Sequence, residues 1–276
     1  MSIPRVLSIA GSDPSGGAGI QADIKSIAAN GGYGMAAVTA LTAQNTRGVR
    51  GVHIPPPQFL IDQLEAISED IQVDAVKIGM LANTATIEVV TGWLERSTAA
   101  HVVLDPVMVA TSGDRLLDAD TSEALSGLIT RAGLITPNIP ELAVLAGTET
   151  AGDWEEATAQ ARHVAKEYGV SVLAKGGHLP GERATDLLVW PGGSVTQVSS
   201  AWIDTPNTHG TGCSLSSAIA TRVVEREGDW ESAVRVAKTW LTTALAAADD
   251  LQVGSGHGPL HHFAGQPGAG RRARRA

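Results

Sequence analysis

Val6-Leu7-Ser8-Ile9-Ala10 runs directly into Gly11-Ser12-Asp13-Pro14-Ser15-Gly16-Gly17-Ala18-Gly19, and a segment of helical length, residues 19–30, follows without a break. A short apolar run, a glycine-rich turn and a helix in that order read as the opening of a strand–crossover–strand unit. The alternation recurs. Apolar runs at 36–41, 75–78, 102–104, 134–136 and 172–174 alternate with helical segments at 58–69, 84–96, 120–131, 139–146, 154–168, 212–227 and 230–250. Glycine and proline mark most of the boundaries. The pattern predicts an α/β fold, a central mostly parallel β-sheet flanked by helices on both faces. Between 184 and 203 it changes: two β-like runs, 186–190 and 195–199, flank Pro191-Gly192-Gly193, which predicts an antiparallel hairpin at the sheet edge.

In open sheets of this kind ligands bind beyond the carboxyl ends of the strands. The loop Gly11 to Gly19 and residues Gln44, Met80, Asp105, Asn138 and Lys175 are therefore expected to share one crevice.

Composition narrows the class. The chain has 276 residues, 43% of them hydrophobic, enough for one large domain, expected over 1–264. It has no apolar run of about 18 residues and no signal-peptide layout, which predicts a cytoplasmic protein with no membrane partner. One cysteine, Cys213, permits neither an internal disulfide nor a cysteine-based zinc site. Four of the 20 basic residues lie at 271–275, leaving 16 against 29 acidic ones, or −13, over residues 1–270. A body so charged repels nucleic acid, and residues 265–276, rich in glycine and arginine, read as a disordered basic tail. An anionic ligand would then need local help from backbone dipoles, a lysine or a metal ion.

Thr208-His209-Gly210-Thr211-Gly212-Cys213 supplies such dipoles if its glycines head the helix at 212–227. That position would also lower the thiol pKa, making Cys213 a proton acceptor; the alternative is a small buried hydrophobe behind a tight turn. A Cys213–His209 hydrolase dyad is set aside because no acyl-transfer signature surrounds it. His209 is expected to shape the turn or touch a nucleotide phosphate. Residues Gly17 to Ala22 fit GxGxxA, but Gln44-Asn45 stands where a ribose-binding acid belongs, and no GxxxxGK[ST] occurs. Gln44, with donor and acceptor on one amide, suits the edge of a heterocycle, or is merely solvated. Asp105 and Glu141 would suffice to hold a magnesium ion (Mg2+) on phosphates, although Asn138 and Glu141 also form a capping-box pattern. Lys175-Gly176-Gly177-His178 offers a cation at a strand end.

Together the glycine loop, Gln44, Asp105, the NxxE at 138–141, KGGH at 175–178 and THGTGC at 208–213 resemble the hydroxymethylpyrimidine and phosphomethylpyrimidine kinases of thiamine synthesis, in the ribokinase-like superfamily. The resemblance spans residues 5 to about 263. It departs at Leu142, often alanine in the family, and near the C-terminus, where the family often reads GHGHGPLNHF and this chain has Gly-Ser-Gly-His-Gly-Pro-Leu-His-His-Phe over 254–263. It implies a homodimer and two ATP-dependent phosphorylations, of 4-amino-5-hydroxymethyl-2-methylpyrimidine and then of its monophosphate. It further implies that Gln44 binds the aminopyrimidine in a pocket lined by Gly11, Met80 and Val107, with Asp23 as a polar neighbour. Gly210, Thr211 and Gly212 would form an anion hole and Cys213 would stand at the base position. Lys175 and Mg2+ at Asp105 and Glu141 would offset phosphate charge, Asn138, Thr208, His209 and Thr211 would meet the nucleotide, and a monovalent cation is a possible further requirement. Pyridoxal kinase activity, or a catalytically silent binding protein of the same fold, are the alternatives.

Overall fold

The computed structural model describes residues 2–108, 121–177, 179 and 181–266. In chain order the elements are β1 (Arg5–Ala10), α1 (Gly19–Ala29), β2 (Tyr33–Val38), β3 (Leu41–Asn45), β4 (Gly48–His53), α2 (Pro57–Ser68), β5 (Ala75–Ile78) and α3 (Thr84–Leu94). They continue with β6 (His101–Leu104), α4 (Ser122–Ile129), β7 (Leu134–Ile135), α5 (Ile139–Ala146), α6 (Trp154–Tyr168) and β8 (Ser171–Lys175). The chain then forms β9 (Arg183–Val189), β10 (Val195–Ala201), α7 (Thr211–Glu225) and α8 (Trp230–Ala246).

The main sheet has eight strands in the order β10-β9-β8-β7-β6-β5-β1-β2, parallel from β2 to β8 and antiparallel at β9 and β10. Strand periodicity divides its side chains between two apolar layers. Val6, Ala75, Val103, Leu134, Leu173 and Leu188 pack on one face with residues of α1, α7 and α8. Their sequence neighbours Leu7, Val76, Leu104, Ile135 and Val172 pack on the other with residues of α2, α3, α4 and α6. Burial on both faces is why these strands read as continuous apolar runs rather than alternating ones. The predicted α/β fold and edge hairpin are therefore present.

One expected strand is divided. The run 36–41 is expected to be continuous, but β2 ends at Val38; Thr39 still donates its amide to the Ala10 carbonyl, as the next bond of the parallel ladder, and its hydroxyl to the Met80 carbonyl (2.6 Å). The chain then leaves the sheet, and β3 pairs with β4 as a separate antiparallel ribbon with a bulge between Ala43 and Gln44. Strand β4, Gly-Val-Arg-Gly-Val-His, carries two glycines and little apolar alternation, so it did not stand out as a strand. The helix expected over 230–250 ends at Ala246 and continues as a 3₁₀ turn, Ala248–Leu251. Residues 267–276, most of the predicted basic tail, and His178 lie outside the described residues, as does residue 120 of the expected fourth helix. No described helix is long and apolar enough to cross a membrane.

Candidate active site

Because β2 and β5 flank β1 on opposite sides, the loops leaving the carboxyl ends of β1 and β5 diverge and open a crevice there. A cavity of about 320 Å³ occupies it, lined by Gly11, Asp13, Gln44, Lys77, Met80, Asp105, Val107 and Cys213, among others. A second cavity of about 700 Å³ extends between α5, β9, β10 and α8, past Pro140, Val144, Trp202, Leu241 and Leu245. Asn138, Glu141, Lys175, Thr208, Thr211 and Gly212 line both. The cavities thus meet at the turn that opens α7.

That turn depends on glycine. Gly210 has φ +76°, and a Cβ there would lie 1.9 Å from the Gly17 carbonyl oxygen, so the turn and the glycine loop are in backbone contact. Thr211 fixes the turn by donating its hydroxyl to the Thr208 carbonyl at 2.6 Å. The first amides of a helix lack the usual carbonyl of the preceding turn; here the Thr211 amide donates to the Thr208 carbonyl at 3.2 Å, and Gly212 follows it on the wall common to both cavities. Gly210, Thr211 and Gly212, the residues expected to bind an anion, stand at this helix start.

Asp13, 1% exposed, organises the glycine loop. Its Oδ1 accepts from the Ser15 amide (2.9 Å) and hydroxyl (2.7 Å), and its Oδ2 from the amides of Gly17 (3.1 Å) and Ala18 (2.8 Å). Oδ2 also lies 2.9 Å from Nε2 of His209. Burial alone would raise this carboxyl; the His209 contact and the donors from Ser15 and Ala18 outweigh it and hold it at about 2. His209 therefore belongs to the smaller cavity, not to the larger one to which nucleotide contact would assign it. Its ring is held on that side by the Asp13 carboxylate, 196 positions away in the chain.

The charged groups sit between and below the cavities. Asp105 accepts from Lys175 Nζ and Thr136 Oγ1, each at 2.8 Å. Its pKa is lowered: burial opposes, but Lys175 and Lys77 prevail. Asn138 and Glu141 form the capping box of α5, with Glu141 Oε2 accepting the Asn138 amide at 2.9 Å. Glu141 also faces both cavities, so cap and wall are one residue. Burial, with Asp105 adding, raises its pKa against the pull of Lys175. Asp105 and Glu141 thus bring two carboxylates, hard oxygen donors, to the wall beside Lys175, a donor type that suits a hard divalent cation.

Two readings change. Cys213 heads α7 as expected, but its thiol is pushed up to about 11, because burial together with Asp23 and Asp105 outweighs the attraction of Lys77 and a hydrogen bond from the Gly19 backbone. A thiolate at neutral pH is not the resting state. Asp23 does not line the cavity. Fully buried, it takes both carboxylate oxygens to Lys77 (2.8 and 2.9 Å) and accepts from Ser8 (2.6 Å) and Ser217 (2.8 Å). The cavity is lined instead by Lys77, whose position inside the apolar run 75–78 was the available signal. Lys238 and Asp186, an ion pair lining the larger cavity, were also passed over; Asp186 accepts the Gly176 amide at 3.1 Å and so anchors the turn after Lys175.

A doubly flanked parallel sheet with adjoining cavities at the start of α7 is the architecture of ribokinase-like small-molecule kinases. A pyridoxal kinase of Bacillus subtilis, solved as an ADP complex, superposes with a TM-score of 0.85 at 32% identity, covering 95% of this chain and 98% of its own. A phosphomethylpyrimidine kinase of Clostridium difficile 630 gives 0.76 at 38% identity, over 88% and 99%. The profile of the phosphomethylpyrimidine kinase family matches residues 13–261. The hydroxymethylpyrimidine/phosphomethylpyrimidine kinase of Escherichia coli K12 is 47% identical over 260 residues, 94% of this chain and 97% of its own. This chain belongs to the phosphomethylpyrimidine kinase family. A thiamine biosynthesis multifunctional protein of Corynebacterium efficiens is 56% identical over 266 residues; the match spans 95% of this chain and 35% of that protein.

Proposed function

We propose that this protein transfers the terminal phosphoryl group of ATP to 4-amino-5-hydroxymethyl-2-methylpyrimidine and then to the resulting monophosphate. The observation that carries the reading is the junction of the two cavities at the Thr208–Cys213 turn. The smaller cavity is sized for a single ring and the larger for a nucleotide. An acceptor hydroxyl in the first and a terminal phosphate in the second would meet at the amides of Gly210, Thr211 and Gly212.

Phosphoryl transfer needs alignment and charge stabilisation more than covalent help. Gln44 holds the ring edge, with Gly11, Met80 and Val107 around it. The amides opening α7 receive charge developing on the transferred group, and Lys175 stands beside them on the Asp105 carboxylate. Cys213 accepts the hydroxyl proton only as the thiolate, so the proton of its resting thiol leaves to solvent before the transfer. Asp105 and Glu141 would hold Mg2+, which when bound neutralises phosphate oxygens. Asn138, Thr208 and Thr211 face the nucleotide. The same reading makes the protein a cytoplasmic homodimer with one kinase domain over 1–264.

A coupled ADP-release assay with Mg2+ tests this. Turnover is expected on both the pyrimidine alcohol and its monophosphate, and turnover on neither would refute it. The shared fold with a pyridoxal kinase favours pyridoxal as a second substrate, which the ratio of the specificity constants measures.

A further inference from the structure

The two ends of the Gln44 amide are alike in shape, so their assignment follows from the hydrogen bonds around them. Two neighbours constrain it. Written with nitrogen toward His209, the amide places Nε2 3.5 Å from His209 Nε2 and Oε1 3.3 Å from Thr42 Oγ1. Both contacts are mismatched. Thr42 has a single hydroxyl proton, already donated to the Ser12 carbonyl at 2.8 Å. Asp13, held ionised at about 2, carries no proton, so its 2.9 Å contact with His209 requires the hydrogen to sit on Nε2. Donor would then face donor at Gln44. Turning the amide over removes both mismatches: the nitrogen donates to Thr42, and the oxygen faces the His209 N–H, whose one hydrogen bonds Asp13 at 2.9 Å and is shared with Gln44 at 3.5 Å.

We infer that Asp13, acting through the proton it fixes on His209 Nε2, orients the Gln44 amide and makes His209 a specificity-determining positioning residue. The inference rests on the smaller cavity being the pyrimidine site. One lone pair beside His209 and one N–H beside Thr42 remain for a ligand. That ordered acceptor and donor match an amino group next to a ring nitrogen, the amino hydrogen toward the amide oxygen and the ring nitrogen toward the amide N–H. A ring lacking that adjacent pair meets one unmatched group. The loop that binds Asp13 thereby communicates with substrate choice across the cavity, through His209 on the α7 turn.

The test uses His209→Asn and His209→Gln in the full chain, each alone and combined with Gln44→Ala. A glutamine can set an N–H where Nε2 stands; an asparagine, one methylene shorter, cannot. His209→Asn is expected to raise KM for the pyrimidine alcohol about tenfold, one lost hydrogen bond, and His209→Gln to stay within about threefold of wild type. On top of Gln44→Ala, His209→Asn should add less than about twofold. Equal behaviour of the two variants, or an undiminished effect in the Gln44→Ala background, would overturn the inference. Imidazole ¹⁵N shifts of His209 at neutral pH give an arm independent of turnover: a proton on Nε2 is expected, and an unprotonated Nε2 contradicts it. Absence of wild-type turnover would instead remove the functional reading while leaving that arm to judge the tautomer.

Discussion

At the scale of single residues, Cys213 shows how position in a helix and position in a charge field compete. A helix start lowers a thiol pKa, yet burial beside Asp23 and Asp105 carries it from an ordinary 9.0 up to about 11. That rise makes the thiolate about 100-fold scarcer at pH 8 than on a free cysteine. Alkylation of Cys213 by iodoacetamide in the free protein should be slower by about that factor at pH 8 and accelerate through pH 10–11. A rate matching free cysteine would contradict a raised thiol pKa. Cys213→Ala should lower kcat by about 10² in the ADP-release assay if the Cys213 thiolate takes the hydroxyl proton; an unchanged kcat would make it a packing residue.

At the scale of elements, the site is held by buried charge pairs that link strand ends to helices. Lys77 on β5 and Asp23 on α1 are both fully buried. Removing one partner leaves the other charge uncompensated, so Lys77→Met should destabilise by about 3–5 kcal/mol in urea unfolding, whereas Lys77→Met with Asp23→Leu should recover much of that. Equal losses in the single and double variants would contradict the pairing. Asp13 acts on pH dependence. Its folded pKa, about 2, lies below the ordinary 3.8, so its contribution is full above pH 4 and is lost as pH falls through about 2. Asp13→Asn should therefore remove about 2 kcal/mol at pH 7, and the urea midpoints of variant and wild type should converge at low pH.

The glycine loop, the NxxE box and THGTGC were legible because backbone geometry demands those residue types locally: Gly210 lies against the Gly17 carbonyl, and Asn138 and Glu141 bind each other's amides. The pairings Asp13–His209, Lys77–Asp23 and Lys238–Asp186 were not, since their members lie 196, 54 and 52 positions apart and only the fold joins them. Gln44 was located in sequence but misplaced in structure. The chain leaves the sheet after Thr39, so Gln44 reaches the cavity from the β3–β4 ribbon rather than from the end of β2.

At the scale of the molecule, strand order and function are one argument. The crevice between the loops of β1 and β5 makes the smaller cavity, the antiparallel edge and α8 wall the larger, and α7 begins where they join. Family membership agrees with that layout, and the match to only about a third of a multifunctional thiamine-biosynthesis protein shows that this unit also occurs within longer chains. The central claim is that acceptor and donor meet at the α7 turn. A crystal structure with the pyrimidine alcohol, Mg2+ and a nonhydrolysable ATP analogue tests it most directly. The account predicts the ring on Gln44, the hydroxymethyl oxygen between Cys213 and the terminal phosphate, and that phosphate on the amides of Gly210, Thr211 and Gly212. A ring bound away from Gln44, or a terminal phosphate out of reach of that turn, would contradict it.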